Sequence, residues 1–219
     1  MLCSGLPHAY CRLSELNSGA SRLPRLTREQ SRARTRARLL ESAREVVARE
    51  GYENAAIDQI AEEAGYSKGA FYSNFASKED LFLELLETHA GQDVEELNAL
   101  IGEITEPETI INLISNWSSE RAADPTWGLL ALELFRKARR EATFSDRHAL
   151  LFRDQWAGVG KLIQRIFPAG KAPANDETLG GIVLELTYGA ASSFTAGPRV
   201  KDLVRVALEA LYLAHGKQA

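Results

Sequence analysis

Apolar residues recur along residues 28–104 at the three-and-four spacing of amphipathic helices. Leu39, Leu40, Ala43, Val46 and Val47 form the first stripe. Thr27-Arg28-Glu29-Gln30 fits the capping box that opens such a helix, and Gly51 follows its end at Glu50. Ile57, Ile60, Ala61 and Ala64 then lie at i, i+3, i+4 and i+7 of a short helix stopped by Gly65. Ser67 is placed to cap a second short helix, about Lys68 to Asn74, in which Phe71 and Phe75 turn inward. Lys68, Gly69, Tyr72 and Ser73 are left facing out. Ser77 caps a long helix from Lys78 to about Ile104, with Leu81, Phe82, Leu85, Leu86, His89 and Leu97 on its inner side.

Prolines at 107, 125, 168, 173 and 198 divide the remainder. The intervals predict helices at about 108–123, 126–140, 145–167, 175–195 and 199–215. No alternating strand pattern is present. The expectation is an all-α fold of nine helices. A flexible tail at 1–26 precedes a helix-turn-helix unit at 27–77 and a helical effector-binding and dimerisation body at 78–219.

Two short helices joined by a tight turn, the second polar outside, have the shape of a reader of a DNA groove. Tyr72 offers a ring and a phenol that can touch a phosphate or a thymine methyl, and Gly69 lets the backbone come close. Lys78 at a helix start is unhelpful to the helix dipole, which suits a phosphate contact. A plain three-helix packing unit with a polar surface is the competing reading. Net charge is −4, which seems wrong for DNA until its distribution is read. Residues 22–49 hold nine arginines against three glutamates, a local +6. A basic pole on an acidic body attracts phosphate locally. Arg34 and Arg38, four apart and opposite the buried stripe, are its best phosphate candidates.

The run Arg36, Leu39-Leu40, Ala43, Gly51-Tyr52, Ile60-Ala61, Ala64-Gly65, Ser67-Lys68-Gly69, Phe71-Tyr72, Phe75 and Ser77-Lys78-Glu79 resembles the DNA-binding domain of the TetR family of transcriptional regulators, over residues 28–90. The resemblance implies a homodimeric repressor released from a palindromic operator by a small-molecule effector. It implies DNA contacts at Ser67, Lys68, Gly69, Ala70, Tyr72, Asn74 and Lys78. Members often carry Thr or Ser where this chain has Ala56. Either Asn54 caps the first short helix instead, or one backbone contact is missing. Asp58 would repel phosphate unless paired. A protein-interaction module with weakened DNA binding therefore stays open as the alternative.

The helix at 175–195 is apolar nearly all round, through Ile182, Val183, Leu184, Leu186, Ala190, Ala191 and Phe194, so it must be buried on more than one side. A second subunit is the expected partner, with the helix at 199–215 beside it. Gly181, Glu185, Tyr188 and Ser192 form its narrow polar stripe. Trp117, Trp127, Phe135, Phe152, Trp156 and Tyr188 supply aromatic material for an effector pocket, with Glu185 as its charged group. The same residues at helical spacing also serve as ordinary core, and Glu185 as an exposed edge. Glu133 is expected to pair with Arg136 or Lys137 in solvent.

Enzymatic chemistry finds no support. His8, His89, His148 and His215 are scattered, and no nucleophile–base pair is visible. Cys3 and Cys11 lack metal-ligand spacing, so neither a metal nor a cofactor is expected. No apolar run approaches the ~20 residues of a bilayer span, and no signal-peptide pattern opens the chain. A cytoplasmic location is expected.

Overall fold

The computed structural model describes residues 27–139, 142–189 and 197–216. The tail at 1–26, and Ala190, Ala191, Ser192 and Phe194, lie outside them. Among the described residues there are nine α-helices, one 3-10 turn and no strand. Helix α1 is Arg28–Asn54, α2 Ile57–Glu63, α3 Lys68–Tyr72, α4 Lys78–Ile101 and α5 Pro107–Ala122. Helix α6 is Thr126–Ala138, α7 Ala142–Ile163, α8 Asp176–Tyr188 and α9 Val200–His215.

Local chemistry sets most of these ends. The capping box forms: Thr27 and Gln30 exchange bonds of 2.9 and 3.1 Å. Gly51 breaks α1 with φ +77°, and one further turn follows to Asn54. The long fourth helix stops at Ile101, not Ile104, because Gly102 adopts φ +47° and turns the chain. The helix expected at 145–167 begins at Ala142 and tightens into a 3-10 turn at Gln164–Ile166. The helix expected at 175–195 has its described helical residues only to Tyr188.

Two apolar clusters share α4. The first joins Leu39, Val46, Ile60, Phe71, Phe75, Leu81 and Phe82 with Leu130 and Leu134 of α6 and Leu151 of α7. The second joins Leu97 and Ile101 with α5, the end of α7, α8 and α9. At 24 residues α4 is about 36 Å long, so one rigid rod runs through both cores. Helices α7 and α8 touch backbone to backbone. A Cβ on Gly180 would fall 1.9 Å from the Trp156 carbonyl oxygen, and one on Gly160 the same distance from that of Asp176. No helix among the described residues is long and apolar enough to cross a membrane.

Candidate functional site: an exposed short helix and a cavity behind it

Helix α3 is held from one side only. Phe71 and Phe75 are fully buried, and Ser67 caps the helix by accepting from the Ala70 N–H at 3.3 Å. Lys68, Gly69, Tyr72 and Ser73 are exposed, Tyr72 by 52% despite its ring. A Cβ on Gly69 would meet only the Ser67 hydroxyl, at an ordinary 3.6 Å. Packing inside the chain therefore does not require glycine there. Helix α2 starts at Ala56 with no side-chain cap. Asn54 does not substitute: its amide donates to the Glu50 carbonyl at 3.1 Å, back along α1.

The charges around α3 are partly engaged. Lys68 pairs with Asp58 at 2.9 Å, so the carboxylate that would repel phosphate is neutralised by the lysine expected to bind it. Asn74 and Lys78 turn inward. The Asn74 amide donates to the Ala70 carbonyl at 2.8 Å. Lys78 donates to the Glu53 carbonyl at 3.2 Å and sits 4.5 Å from the Tyr52 ring centre, and burial lowers its pKa. Ala70 is half-buried.

The arginines of α1 divide by role. Arg36 bonds Glu84 and the Asn74 carbonyl and lies 4.1 Å over the Phe75 ring, clamping α1 to α4 and to the end of α3. Arg44 pairs with Glu41, and Arg49 with Glu50 and Glu63. Arg34 and Arg38 are exposed and bear no ion pair among the described residues. Arg32 reaches the Ser73 carbonyl at 3.4 Å, which puts the first turns of α1 beside the end of α3. Of the local +6 of the sequence, Arg36 and Arg49 are thus met by carboxylates from outside that segment, while Arg28, Arg32, Arg34 and Arg38 bear no ion pair among the described residues.

Behind this face lies a cavity of about 700 Å³ between α6, α7 and α8. Phe135, Phe152, Trp156, Glu185 and Tyr188 line it, as do Gln155, Arg139 and Arg153, which the sequence did not single out. His148, Phe152 and Trp156, four apart, make one wall, their rings 4.8 and 6.1 Å apart in succession. Two expected lining residues are elsewhere. Trp117 follows Ile110 and Ile114 on the inner stripe of α5 and is 1% exposed in the second core. Trp127 stacks on His89 at 3.8 Å, beside the cavity. Glu133 pairs with Arg136 at 2.8 Å, as expected.

A buried polar centre closes the inner end. Asp93 of α4 is 0% exposed. Its Oδ2 accepts from the Tyr188 hydroxyl at 2.5 Å and the Gln155 amide at 3.1 Å. Arg121 Nε lies 2.8 Å from its Oδ1, an ion-pair contact without hydrogen-bond alignment. His89 Nε2 is 3.2 Å from the Tyr188 hydroxyl. Burial raises the Asp93 pKa against the pull of Tyr188, Arg121 and Gln155. Burial also lowers His89 to about 4. A signal for this centre was present in the sequence. Leu86, Ala90, Asp93 and Leu97 share one helical stripe, and a lone acid on an apolar stripe needs partners.

Helices α6 and α7 are tied ionically to the first turns of α4. Lys137 pairs with Glu79 at 2.7 Å, and Tyr52 of α1 donates to the same carboxylate at 3.1 Å. Burial would raise Glu79, but these bonds hold it down at about 2. Arg147 bridges Asp80 and Glu87, each at 2.6 Å. Among the described residues no group of three or more His, Cys, Asp or Glu could hold a metal ion.

Residues 39–85 match the model of bacterial regulatory proteins, tetR family. The fatty acid metabolism regulator protein of Bacillus subtilis (strain 168) is 30% identical over 104 residues, 47% of this chain and 54% of that protein. The chain spans 36 to 54% of the length of the first curated relatives it matches. A TetR transcription regulator from Haloarcula marismortui ATCC 43049 superposes with a TM-score of 0.65 at 18% identity, over 84% of this chain and 100% of that one. The transcriptional regulator FadR from Bacillus subtilis, in complex with stearoyl-CoA, superposes with a TM-score of 0.60 at 21% identity, over 83% and 99%.

Proposed function

We propose that this chain, which belongs to the TetR family of bacterial regulatory proteins, is a transcriptional repressor released from a palindromic operator by a small molecule. The observation that carries the reading is α3, a capped helix with a buried aromatic pair on one side and Lys68, Gly69 and Tyr72 exposed on the other. Lys68 and Tyr72 reach base edges and phosphates, Gly69 permits close backbone approach, and Arg34 and Arg38 hold flanking phosphates. The Lys68–Asp58 pair is fully exposed, and such pairs contribute little, so exchanging Asp58 for phosphate meets no large barrier.

One short helix reads few base pairs, so a two-fold dimer supplies the second half-site. Helix α9 supports this. Val206 and Leu213 are 65% and 60% exposed, and with Ala210 they form an apolar stripe left uncovered among the described residues. The ligand enters the cavity between α6, α7 and α8. Lys137 and Arg147 pass any change in α6 and α7 to Glu79, Asp80 and Glu87, one to three turns beyond α3. The ligand shifts the equilibrium only by its differential affinity for the two arrangements.

Selection of bound sequences from random DNA tests the reading. A palindromic product is expected, with affinity falling steeply in salt. Six phosphate contacts per dimer correspond to a log–log slope of roughly −5. Failure to enrich any sequence would favour the interaction-module alternative.

A further inference from the structure

We propose that the cavity between α6, α7 and α8 takes a single-chain amphipathic carboxylate, its anionic end drawn to the exposed lining guanidiniums of Arg139 and Arg153 and its chain lying against Phe135, Phe152 and Trp156. The inference rests on the cavity being the ligand site proposed above, but not on DNA binding.

The polar groups of the lining carry the orientation. Gln155 and Tyr188 already donate to Asp93, and His148 bonds the Ala131 backbone. Gln155 and Tyr188 can turn to an incoming head group only by leaving a buried carboxylate short of donors, which is costly. The inner end is therefore furnished for an apolar group. Arg139, Arg153 and Glu185 are the lining residues with charge to spare: all three are exposed and none has a partner among the described residues. Two cations against one anion leave a net +1, and guanidinium forks match a carboxylate.

The dimensions follow from the helices. Gly128 lies against Tyr188, where a Cβ would come within 2.7 Å of the Tyr188 carbonyl oxygen. At the other end Phe135 meets His148 with ring centres 6.2 Å apart, and Arg139 is one turn beyond. From Gly128 to Arg139 the wall runs about 16 Å at 1.5 Å per residue. An extended chain advances about 3.5 Å per three bonds, so this length holds on the order of a dozen atoms.

Three probes of one chain length separate the head groups: laurate, dodecanol and dodecyltrimethylammonium, each below its micellar range. Binding is read by tryptophan fluorescence, since Trp156 is in the wall, and by calorimetry on the full chain. Laurate is expected to bind about tenfold or more tighter than the ammonium. Arg139→Gln/Arg153→Gln should weaken laurate about tenfold and leave dodecanol unchanged. Glu185→Gln should tighten laurate a few-fold. Equal or tighter binding of the ammonium, laurate affinity unchanged in the double arginine variant, or no binding of any probe would each overturn the inference. All three substitutions fall on exposed side chains, so folding is not at stake, and thermal melts check it. Operator selection on the unliganded protein tests the regulatory reading separately.

Discussion

Adjacent glycines on α8 should respond to the same substitution with opposite sign. Gly180 faces α7, and its alanine Cβ would lie 1.9 Å from the Trp156 carbonyl oxygen and 2.9 Å from the Gly160 nitrogen. Ordinary contact begins near 3.4 Å, so α8 must retreat by 3.4 − 1.9 = 1.5 Å, against backbone that cannot rotate away. The retreat opens a contact that buries Val159, Ile163, Leu179 and Val183. Overpacking of this kind costs about 1–3 kcal/mol, occasionally more. Replacing helical Gly by Ala returns roughly 0.5–1 kcal/mol. With a backbone approach as close as 1.9 Å the cost falls at the upper end of that range, so Gly180→Ala should lose about 2 kcal/mol net, a fall in Tm of about 4–8 °C at this chain length. At Gly181 the new Cβ meets only Trp156 Cδ2 at 3.9 Å. Gly181→Ala should keep the whole helical gain and melt about 1–4 °C higher. Urea and thermal unfolding followed by far-ultraviolet circular dichroism, at one protein concentration, measure both. A Gly180→Ala protein as stable as wild type would refute the backbone-to-backbone crossing. Equal losses at both sites would assign the sensitivity to α8 as a whole.

Gly69→Ala should leave stability unchanged or raised by up to about 1 kcal/mol, while operator affinity measured by fluorescence anisotropy falls; parallel losses would return Gly69 to a packing role. Lys68→Ala and Tyr72→Ala should weaken DNA binding with unaltered melting, whereas Lys78→Ala, stripped of its Glu53 and Tyr52 contacts, should lower stability by about 1 kcal/mol. Retained specific binding in both α3 variants would contradict the assignment of that helix. Burial holds His89 neutral down to about 4, from an ordinary 6.5. The unfolded chain binds the extra proton between those values, so this stability is complete above pH 6.5 and is lost as pH falls toward 4. It amounts to at most about 3 kcal/mol. Asp93, whose pKa is raised, works in the opposite direction, so the comparison is with His89→Gln, which should flatten the slope over pH 4–6.5; an identical slope would remove His89 as its source. Leu213→Glu on α9 should shift the protein toward monomer in analytical ultracentrifugation, and a monomeric wild type would void the dimer proposal.

How far each feature could be read in advance depended on the range of the interaction behind it. Thr27, Ser67 and Ser77 cap as expected because a cap is settled within three residues. Gly51 and Gly65 mark turns as expected because positive φ is a property of one residue, whereas Gly102 ends α4 three residues before the expected Ile104. The outward face of α3 followed from the spacing of Phe71 and Phe75. Lys78 and Asn74 were harder, since their partners Glu53, Tyr52 and Ala70 become reachable only when α1, α3 and α4 pack. The cavity was half legible. Phe135, Phe152, Trp156, Glu185 and Tyr188 line it, but Trp117 went to the core because helical spacing does not say which neighbour a ring meets.

By itself the sequence determined the all-α architecture, with nine helices among the described residues, the two short helices with their turn, and the polar surface of α3. These depend on periodicity, caps and glycines, which are local. Only tertiary structure decided which cations remain free, since Arg36, Arg49 and Lys68 find carboxylates 10 to 48 residues away. It alone made Asp93 a junction of α4, α5, α7 and α8, and tied α6 and α7 to the start of α4. Charge pairing and burial depend on distance in space, and the chain brings those groups together only by folding.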